Sequence, residues 1–144
     1  MSVINDFRGQ YRWLSNFHLV NVRLGDLWFK STEHAYQAAK TKDLALRAEI
    51  QELATCGQAK RAGQRLALRP DWEQIKQAVM LNLQRQKYSY PELRTLLLAT
   101  GNLELIEGNT WGDTYWGVCN GVGDNWLGKI LMQVRAECVT PPPA

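Results

Sequence analysis

The sequence has few cysteines and histidines, and their spacing matches neither a metal site nor a disulfide framework. Cys56, Cys119 and Cys138 are odd in number and far apart. Small disulfide-rich domains carry an even number of cysteines, and structural zinc sites use C-x-x-C pairs. His18 and His34 stand outside any cluster of ligand residues. We therefore expect no catalytic metal.

Long apolar runs and a strong charge of one sign are also missing. The chain has no run of about 18 apolar residues, so we expect no membrane span. Residues 1–8 lack the basic leader and apolar stretch of a secretory signal. A formal charge of +3 suits a phosphorylated ligand without requiring bulk binding of nucleic acid. These absences predict a cytoplasmic protein with no membrane partner.

The order of the elements predicts an α+β fold that is predominantly α-helical. Strands at 20–24 and 27–30 flank Gly25-Asp26, which is typical of a hairpin turn. Helical patterns follow from Ser31 to the C-terminal region. With no linker and 144 residues, we expect a single domain over 1–140 with a small N-terminal β-hairpin, and a proline-rich tail at 141–144.

Three local signals predict where the middle helices begin and end. The spacing of Leu46, Ile50 and Leu53 is that of a helix, and Cys56-Gly57 is predicted to end it. Asp71 is in position to cap a longer helix whose inner face carries hydrophobic residues: Trp72, Ile75, Val79 and Leu83. Ser89 and Glu92 have the spacing of a capping box for the next helix.

The most informative stretch is residues 31–40, which begins like a capped helix with an acid in its first turn. At 3.6 residues per turn, four polar side chains fall on one face: Glu33, Tyr36, Gln37 and Lys40. A carboxylate, a phenol, an amide and an amine in one stripe fit a ligand site. A solvated helix face is the alternative interpretation.

A second cluster lies near the C-terminus, between Glu107 and Asn125. Asp113 stands among Trp111, Tyr115 and Trp116, a setting that can desolvate a carboxylate. Glycines such as Gly117 allow close approach of the backbone to a ligand, and the helix that begins near Asn125 offers a positive dipole end for phosphate. A structural turn explains the same residues equally well.

Two carboxylates from distant segments, Glu33 and Asp113, suggest acid–base chemistry at a glycosidic carbon. Such chemistry needs one group to activate water or stabilise an oxocarbenium-like centre, and another to assist the leaving group. Either carboxylate could instead be an ion-paired structural acid.

Several segments together resemble the NADAR family, also called YbiA-like, over roughly residues 7–137. The N-terminal signature is represented by Leu14-Ser-Asn-Phe17, Trp28, Ser31, Glu33-His34, Gln37-Ala38 and Lys40. The middle of the chain is similar at Gly57, Lys60, Arg69, Trp72, Val79-Met80 and 96–100. The C-terminal signature is similar at 113–117, Gly121, Gly123, Asn125, Leu127-Gly128, Leu131-Met132 and Val134-Arg135.

The resemblance implies an N-glycosidase that acts on ribose–base bonds without a cofactor. It ties Glu33, Asp113, Trp72 and Trp116 to activity and makes Lys40 the signature lysine. Lys40 could bind phosphate, keep Glu33 ionised, or attack C1 to form an imine. Position and residue type leave these roles open, and with them the choice between direct attack by water and a lysine adduct.

The remaining candidate residues are assigned to substrate binding. We expect Trp72, Trp111 and Trp116 to stack on a base, and Asn16 to contact ribose hydroxyls. Tyr36, Gln37, Gly117 and Asn125 complete the predicted set. Lys60 belongs to a basic run with Arg61, Arg65 and Arg69 that suits a diphosphate or is simply a solvated face. His34 points away from Glu33, so we expect it to be packed.

The sequence is compatible with three functions. The mild positive charge and the tryptophans favour removal of ADP-ribose from ADP-ribosylated guanine in nucleic acid, which would imply a paired ADP-ribosyltransferase toxin. A ribosylated aminopyrimidine phosphate of riboflavin synthesis is the alternative substrate. A reader that binds ADP-ribose or NAD-derived ligands without cleaving them is the alternative of a different class.

Overall fold

A computed structural model describes residues 2–139, so the predicted tail at 141–144 lies outside the described residues. Helices and short strands alternate, which confirms a predominantly helical α+β fold. The described residues belong to two compact units, one of 16–87 and the other of 2–15 with 88–139. The single-domain boundaries stay a prediction. Within 2–139, every helix is too short or too polar to cross a membrane.

The unit of residues 16–87 begins with an antiparallel hairpin. Strand β2 (Leu19–Leu24) pairs with β3 (Leu27–Ser31), and buried Val22 lies opposite buried Phe29. The turn is the predicted one, with Gly25 at a φ of 58°, a conformation that favours glycine. Helix α1 (Thr32–Ala38) follows β3 without a loop, so the hairpin sets the position of its first turn.

Three further helices complete this unit: α2 (Leu44–Gln51), α3 (Cys56–Gln64) and α4 (Trp72–Lys87). The prediction that Cys56-Gly57 closes a helix is wrong, because Cys56 begins α3. Thr55 Oγ1 accepts from the Gln58 N–H at 3.1 Å, and Gln58 Oε1 accepts from the Thr55 N–H at 3.1 Å. This reciprocal capping box starts a new helix where the apolar spacing alone continued the old one.

The inner face of α4 differs in part from the predicted one. Trp72 and Leu83 are buried as expected, whereas Ile75 and Val79 are half-exposed. The stripe instead continues through residues of mixed polarity: Met80, Gln84 and Lys87. A polar residue on a buried face is invisible to a hydrophobic pattern.

The other unit combines short parallel strands with two helices. Strand β1 (Val3–Ile4) pairs with β4 (Glu104–Leu105), and β5 (Gly108–Asn109) pairs with β6 (Val118–Cys119). The remaining elements are 3-10 turns at Gly9–Leu14, α5 (Pro91–Ala99) and α6 (Trp126–Val139). The capping box at Ser89 and Glu92 is wrong: the N-cap of α5 is Tyr90, without a side-chain hydrogen bond, and Pro91 supplies the helical φ.

Candidate active site

A set of buried hydrogen bonds holds the first turn of α1. Ser31 Oγ accepts from the His34 N–H at 3.0 Å and lies 2.6 Å from His34 Nδ1, while His34 Nε2 lies 3.0 Å from Leu53 O. A carbonyl only accepts, so Nε2 carries the hydrogen and Nδ1 accepts from the serine hydroxyl. Burial lowers the pKa of His34, which favours this neutral form. His34 is therefore packed, as predicted.

Glu33 is buried, with 7% of its surface exposed. Gln37, one turn later on α1, donates from Nε2 to Glu33 Oε1 at 2.7 Å. The Glu33 N–H donates to Asn16 O at 3.2 Å. A carboxylate out of water is costly unless hydrogen bonds compensate it, so this position is unlike that of an ordinary surface acid at a helix start.

Asn16 lies in the loop before β2 and is tied to α4. Its Oδ1 accepts from Gln84 Nε2 at 2.6 Å, and its Nδ2 lies 3.7 Å from Met80 Sδ. Through its backbone oxygen Asn16 also touches Glu33. The structure thus brings Asn16 and Glu33 together, while contact with ribose hydroxyls stays a prediction.

The predicted end of the helix at Lys40 is wrong, because α1 ends at Ala38. Lys40 follows in a turn, where its backbone oxygen accepts from the Arg69 N–H at 2.8 Å. Burial lowers the pKa of Lys40. Nearby Glu33 opposes this change, and the positive charges of Lys60 and Lys76 reinforce it. Lys40 is therefore the group on which the charges of Glu33, Lys60 and Lys76 all act.

Trp72 packs against Tyr36, its neighbour from α1. The two ring centroids are 5.2 Å apart with the planes tilted by 57°, and both residues are buried. This is a favourable aromatic geometry, and it makes Trp72 part of the core of residues 16–87. Stacking of Trp72 on a substrate base stays a prediction.

The basic run divides into three environments. Arg61 and Arg65 are exposed, as a solvated face would be, whereas Lys60 is half-buried. Arg69 pairs with Asp71 at 2.6 Å. Lys60 is thus the member of the run closest in character to a ligand-binding cation, since it also influences Lys40.

In the other unit, Asp113 organises the loop that contains it. Its Oδ1 accepts from the N–H groups of Tyr115 and Trp116, at 3.1 and 2.9 Å. Asn109 holds the backbone of Asp113 from both sides, accepting from its N–H at 3.0 Å and donating to its oxygen at 2.9 Å. Asp113 is half-buried. Because its carboxylate accepts two backbone hydrogen bonds, it has a structural role whatever its chemical role.

Two of the tryptophans predicted to stack on a base differ in environment. Trp111 is 57% exposed. Trp116 is half-buried and meets Tyr115 edge to face, with ring centroids 4.9 Å apart. Stacking of either ring on a substrate stays a prediction.

Gly117 and Asn125 have clear tasks in the fold. A Cβ at Gly117 would overlap Glu107 Oε2. Asn125 Oδ1 accepts from the Glu107 N–H at 3.0 Å, and Asn125 Nδ2 donates to Leu105 O at 2.9 Å. At the start of α6, the N–H groups of Trp126 and Leu127 donate to the backbone oxygens of residues 115 and 116. These amides are already used, so we place no phosphate there.

The sequence patterns did not single out Lys76 or Gly63. Lys76 lies on α4 and its charge acts on Lys40, which follows α1 far away in the sequence. Gly63 is buried within α3 beside Gln37. The available signal was a glycine inside a helical pattern, which usually has a packing reason.

Comparison with known proteins decides the family. Residues 5–138 match the sequence profile of the NADAR domain. The chain belongs to the NADAR family. Its relatives include the N-glycosidase YbiA of Shigella boydii, 37% identical over 131 residues that cover 88% of this chain and 81% of YbiA.

Two further comparisons support this NADAR assignment. A riboflavin biosynthesis protein of Vibrio vulnificus is 36% identical over 129 residues, covering 87% of this chain and 35% of that protein. The NMR structure of YbiA from E. coli superposes with a TM-score of 0.84 at 34% identity, covering 96% of this chain and 86% of that one. This NADAR chain is accordingly an N-glycosidase-type enzyme.

Proposed function

We propose that the chain hydrolyses the N-glycosidic bond of a ribosylated aminopyrimidine phosphate of the kind formed in riboflavin synthesis. The observation that carries the proposal is the buried Glu33, which is bonded to Gln37 and interacts electrostatically with Lys40, a lysine that Lys60 and Lys76 also influence. A carboxylate among cations suits a substrate with an electron-poor anomeric carbon and a phosphate. A relative named as a riboflavin biosynthesis protein supports this substrate class.

In the proposed reaction, water adds to C1 of the ribose while the bond from C1 to the base nitrogen breaks. The Glu33 carboxylate stabilises positive charge at C1 or takes a proton from the attacking water. The electron pair of the broken bond stays on the base nitrogen, which gains a proton. The products are a ribose phosphate and the free aminopyrimidine. Asp113 is the proposed second carboxylate, on the strength of the resemblance.

The phosphate is proposed to bind the ammonium groups of Lys40, Lys60 and Lys76. Lys60 and Lys76 lower the pKa of Lys40 by charge repulsion. A bound phosphate dianion would relieve this repulsion, because it places negative charge close to the three ammonium groups. Lys76 also pairs with Glu73 at 2.6 Å.

Removal of ADP-ribose from modified guanine is the second candidate. It is favoured by Arg61 and Arg65, two exposed cations four residues apart near Lys60 on α3, which would suit a second phosphate. The same enzyme chemistry applies, and a paired ADP-ribosyltransferase toxin would be its expected partner.

Mass-spectrometric product analysis with both substrates side by side tests the proposal. One reaction contains a ribosylated aminopyrimidine phosphate and the other an ADP-ribosylated guanine oligonucleotide, with Glu33→Gln as the blank. Cleavage of the pyrimidine compound by wild type alone is the expected result. Release of ADP-ribose without pyrimidine cleavage would replace the first candidate by the second. Binding without cleavage of either bond would favour the non-catalytic reader.

A further inference from the structure

We infer that Gly63 and Gln37 are positioning residues for Glu33: the missing side chain of Gly63 leaves the space in which the Gln37 amide faces the carboxylate. The inference rests on the proposed role of Glu33. It differs from the predicted role of Gln37 in substrate binding, because Gln37 is only 4% exposed and already donates to Glu33 at 2.7 Å. Gln37 thus acts on the substrate through Glu33.

The contact between α3 and α1 depends on glycine at position 63. A Cβ built on Gly63 would overlap Gln37 Oε1 and lie 2.5 Å from Gln37 Cδ and 3.0 Å from Gln37 Cβ. All three nearest atoms belong to one side chain. A larger residue at position 63 must therefore displace the Gln37 amide or push the two helices apart.

The other glycine of α3 provides a matched comparison. A Cβ at Gly57 would meet Arg61 Nη1 at 3.7 Å and Thr55 Oγ1 at 4.0 Å, which are ordinary contacts. Glycine is less favourable than alanine inside a helix. Nothing in these contacts requires glycine at position 57, whereas at position 63 the Gln37 amide does.

The orientation of the Gln37 amide matters as much as its position. Its Nε2 donates to Glu33, while its Oε1 is buried and has no hydrogen-bond donor among residues 2–139. Turning the amide over would place Oε1 against a carboxylate oxygen, an acceptor against an acceptor. The bond to Glu33 therefore selects the observed orientation, and in return the N–H favours the ionised carboxylate.

The test compares Gly63→Ala and Gln37→Ala with Gly57→Ala as the control. With the aminopyrimidine substrate, we expect Gly63→Ala and Gln37→Ala to lower kcat at least about tenfold with KM changed less than about twofold, because the change affects chemistry rather than binding. The acid limb of the kcat–pH profile should move to higher pH in both, since the carboxylate loses a donor. Gly57→Ala should change neither quantity.

The double variant tests whether the two residues act as one unit. Because Gln37→Ala removes the atoms that a new Cβ would overlap, adding Gly63→Ala should then lower kcat by less than about twofold. Full independent effects in the double variant, or an unmoved acid limb in both single variants, would overturn the inference. If Gly63→Ala does not fold, the pH profile of Gln37→Ala decides, since that change only removes atoms.

A measurement without substrate separates this inference from the proposed function. In wild type the side-chain NH₂ resonances of Gln37 in ¹⁵N–¹H spectra should shift as Glu33 titrates, and should lose that dependence in Gly63→Ala but keep it in Gly57→Ala. Dependence retained in Gly63→Ala would refute the positioning role. Active Glu33→Gln would instead refute the proposed function, whatever the spectra show.

Discussion

The ammonium nitrogen of Lys40 lies 5.5 Å from the centroid of the Tyr36 ring, in the turn just after α1. The Tyr36 ring also packs against Trp72. A cation over an aromatic ring is held by electrostatic attraction. Lys40 is thereby kept near α1 although it has left the helix, with its charge within the influence of Glu33.

Lys40 is expected to act through its charge. Lys40→Met should raise KM about tenfold or more, since a hydrogen bond to a charged group contributes roughly 1.5–3 kcal/mol. Lys40→Arg should recover part of that loss because it keeps the charge. Steady-state kinetics check both variants.

Borohydride trapping during turnover distinguishes this charge role from an imine. We expect no covalent product, because in the proposed reaction water attacks C1 directly. A ribosyl adduct that disappears in Lys40→Met would contradict the charge role and establish the imine, for which the lowered pKa of Lys40 would supply the free amine.

Trp72 is expected to be a large contributor to stability. Because it is 4% exposed and packed on Tyr36, Trp72→Ala should lower the free energy of unfolding by about 3–5 kcal/mol. Trp28, which is 53% exposed, supplies the control: Trp28→Ala should cost less than about 1 kcal/mol. Urea unfolding measures both, and equal losses would show that the core assignment of Trp72 is wrong.

Elements with local signals could be predicted from the sequence. The hairpin turn at Gly25 and the capped start of α1 at Ser31 depend on residues next to each other in the chain. The boundary between α2 and α3 was missed because the spacing of Leu46, Ile50 and Leu53 continues smoothly, and the interruption comes from the capping box of Thr55.

Contacts within one helix could be predicted around Glu33, whereas contacts between elements could not. Glu33 and Gln37 share a helix face by spacing alone, and the structure joins them. The role of Gly63 depends on a contact between α1 and α3, which no local pattern encodes. Likewise, the amide of Asn125 is used by the backbone of residues 105 and 107, about twenty residues away.

Substitution can separate the structural role of Asp113 from its proposed catalytic role. Asn keeps an oxygen that can accept from the N–H groups of Tyr115 and Trp116, so Asp113→Asn should leave Tm nearly unchanged while kcat falls about 10²–10⁴-fold. Asp113→Ala should lower Tm as well, because both hydrogen bonds are lost. Asp124→Asn, an exposed change nearby, is the control. Full activity in Asp113→Asn would leave Asp113 a purely structural role.

Lys87 should make stability depend on pH. It is fully buried, and burial lowers the pKa of Lys87 from 10.5 to about 7. Between these values the unfolded chain binds a proton that the folded chain has released, so the free energy of unfolding rises with pH. The slope from this group is up to about 1.4 kcal/mol per pH unit.

Urea unfolding over this pH range checks the Lys87 prediction. Relative to Lys87→Met, wild type should gain stability steadily as the pH rises above about 7. Lys42→Met, at an exposed lysine, should run parallel to wild type. Parallel profiles for Lys87→Met and wild type would mean that Lys87 keeps its proton in the folded protein.

The catalytic role of Glu33 is tested most directly by turnover of Glu33→Gln on the ribosylated aminopyrimidine phosphate, with binding of ribose 5-phosphate measured in parallel. Glu92→Gln is the matched control, since Glu92 is also a first-turn acid but exposed. We expect Glu33→Gln to lower kcat by about 10²–10⁴-fold with binding nearly intact, and Glu92→Gln to behave as wild type. Wild-type turnover in Glu33→Gln would contradict the catalytic role of Glu33.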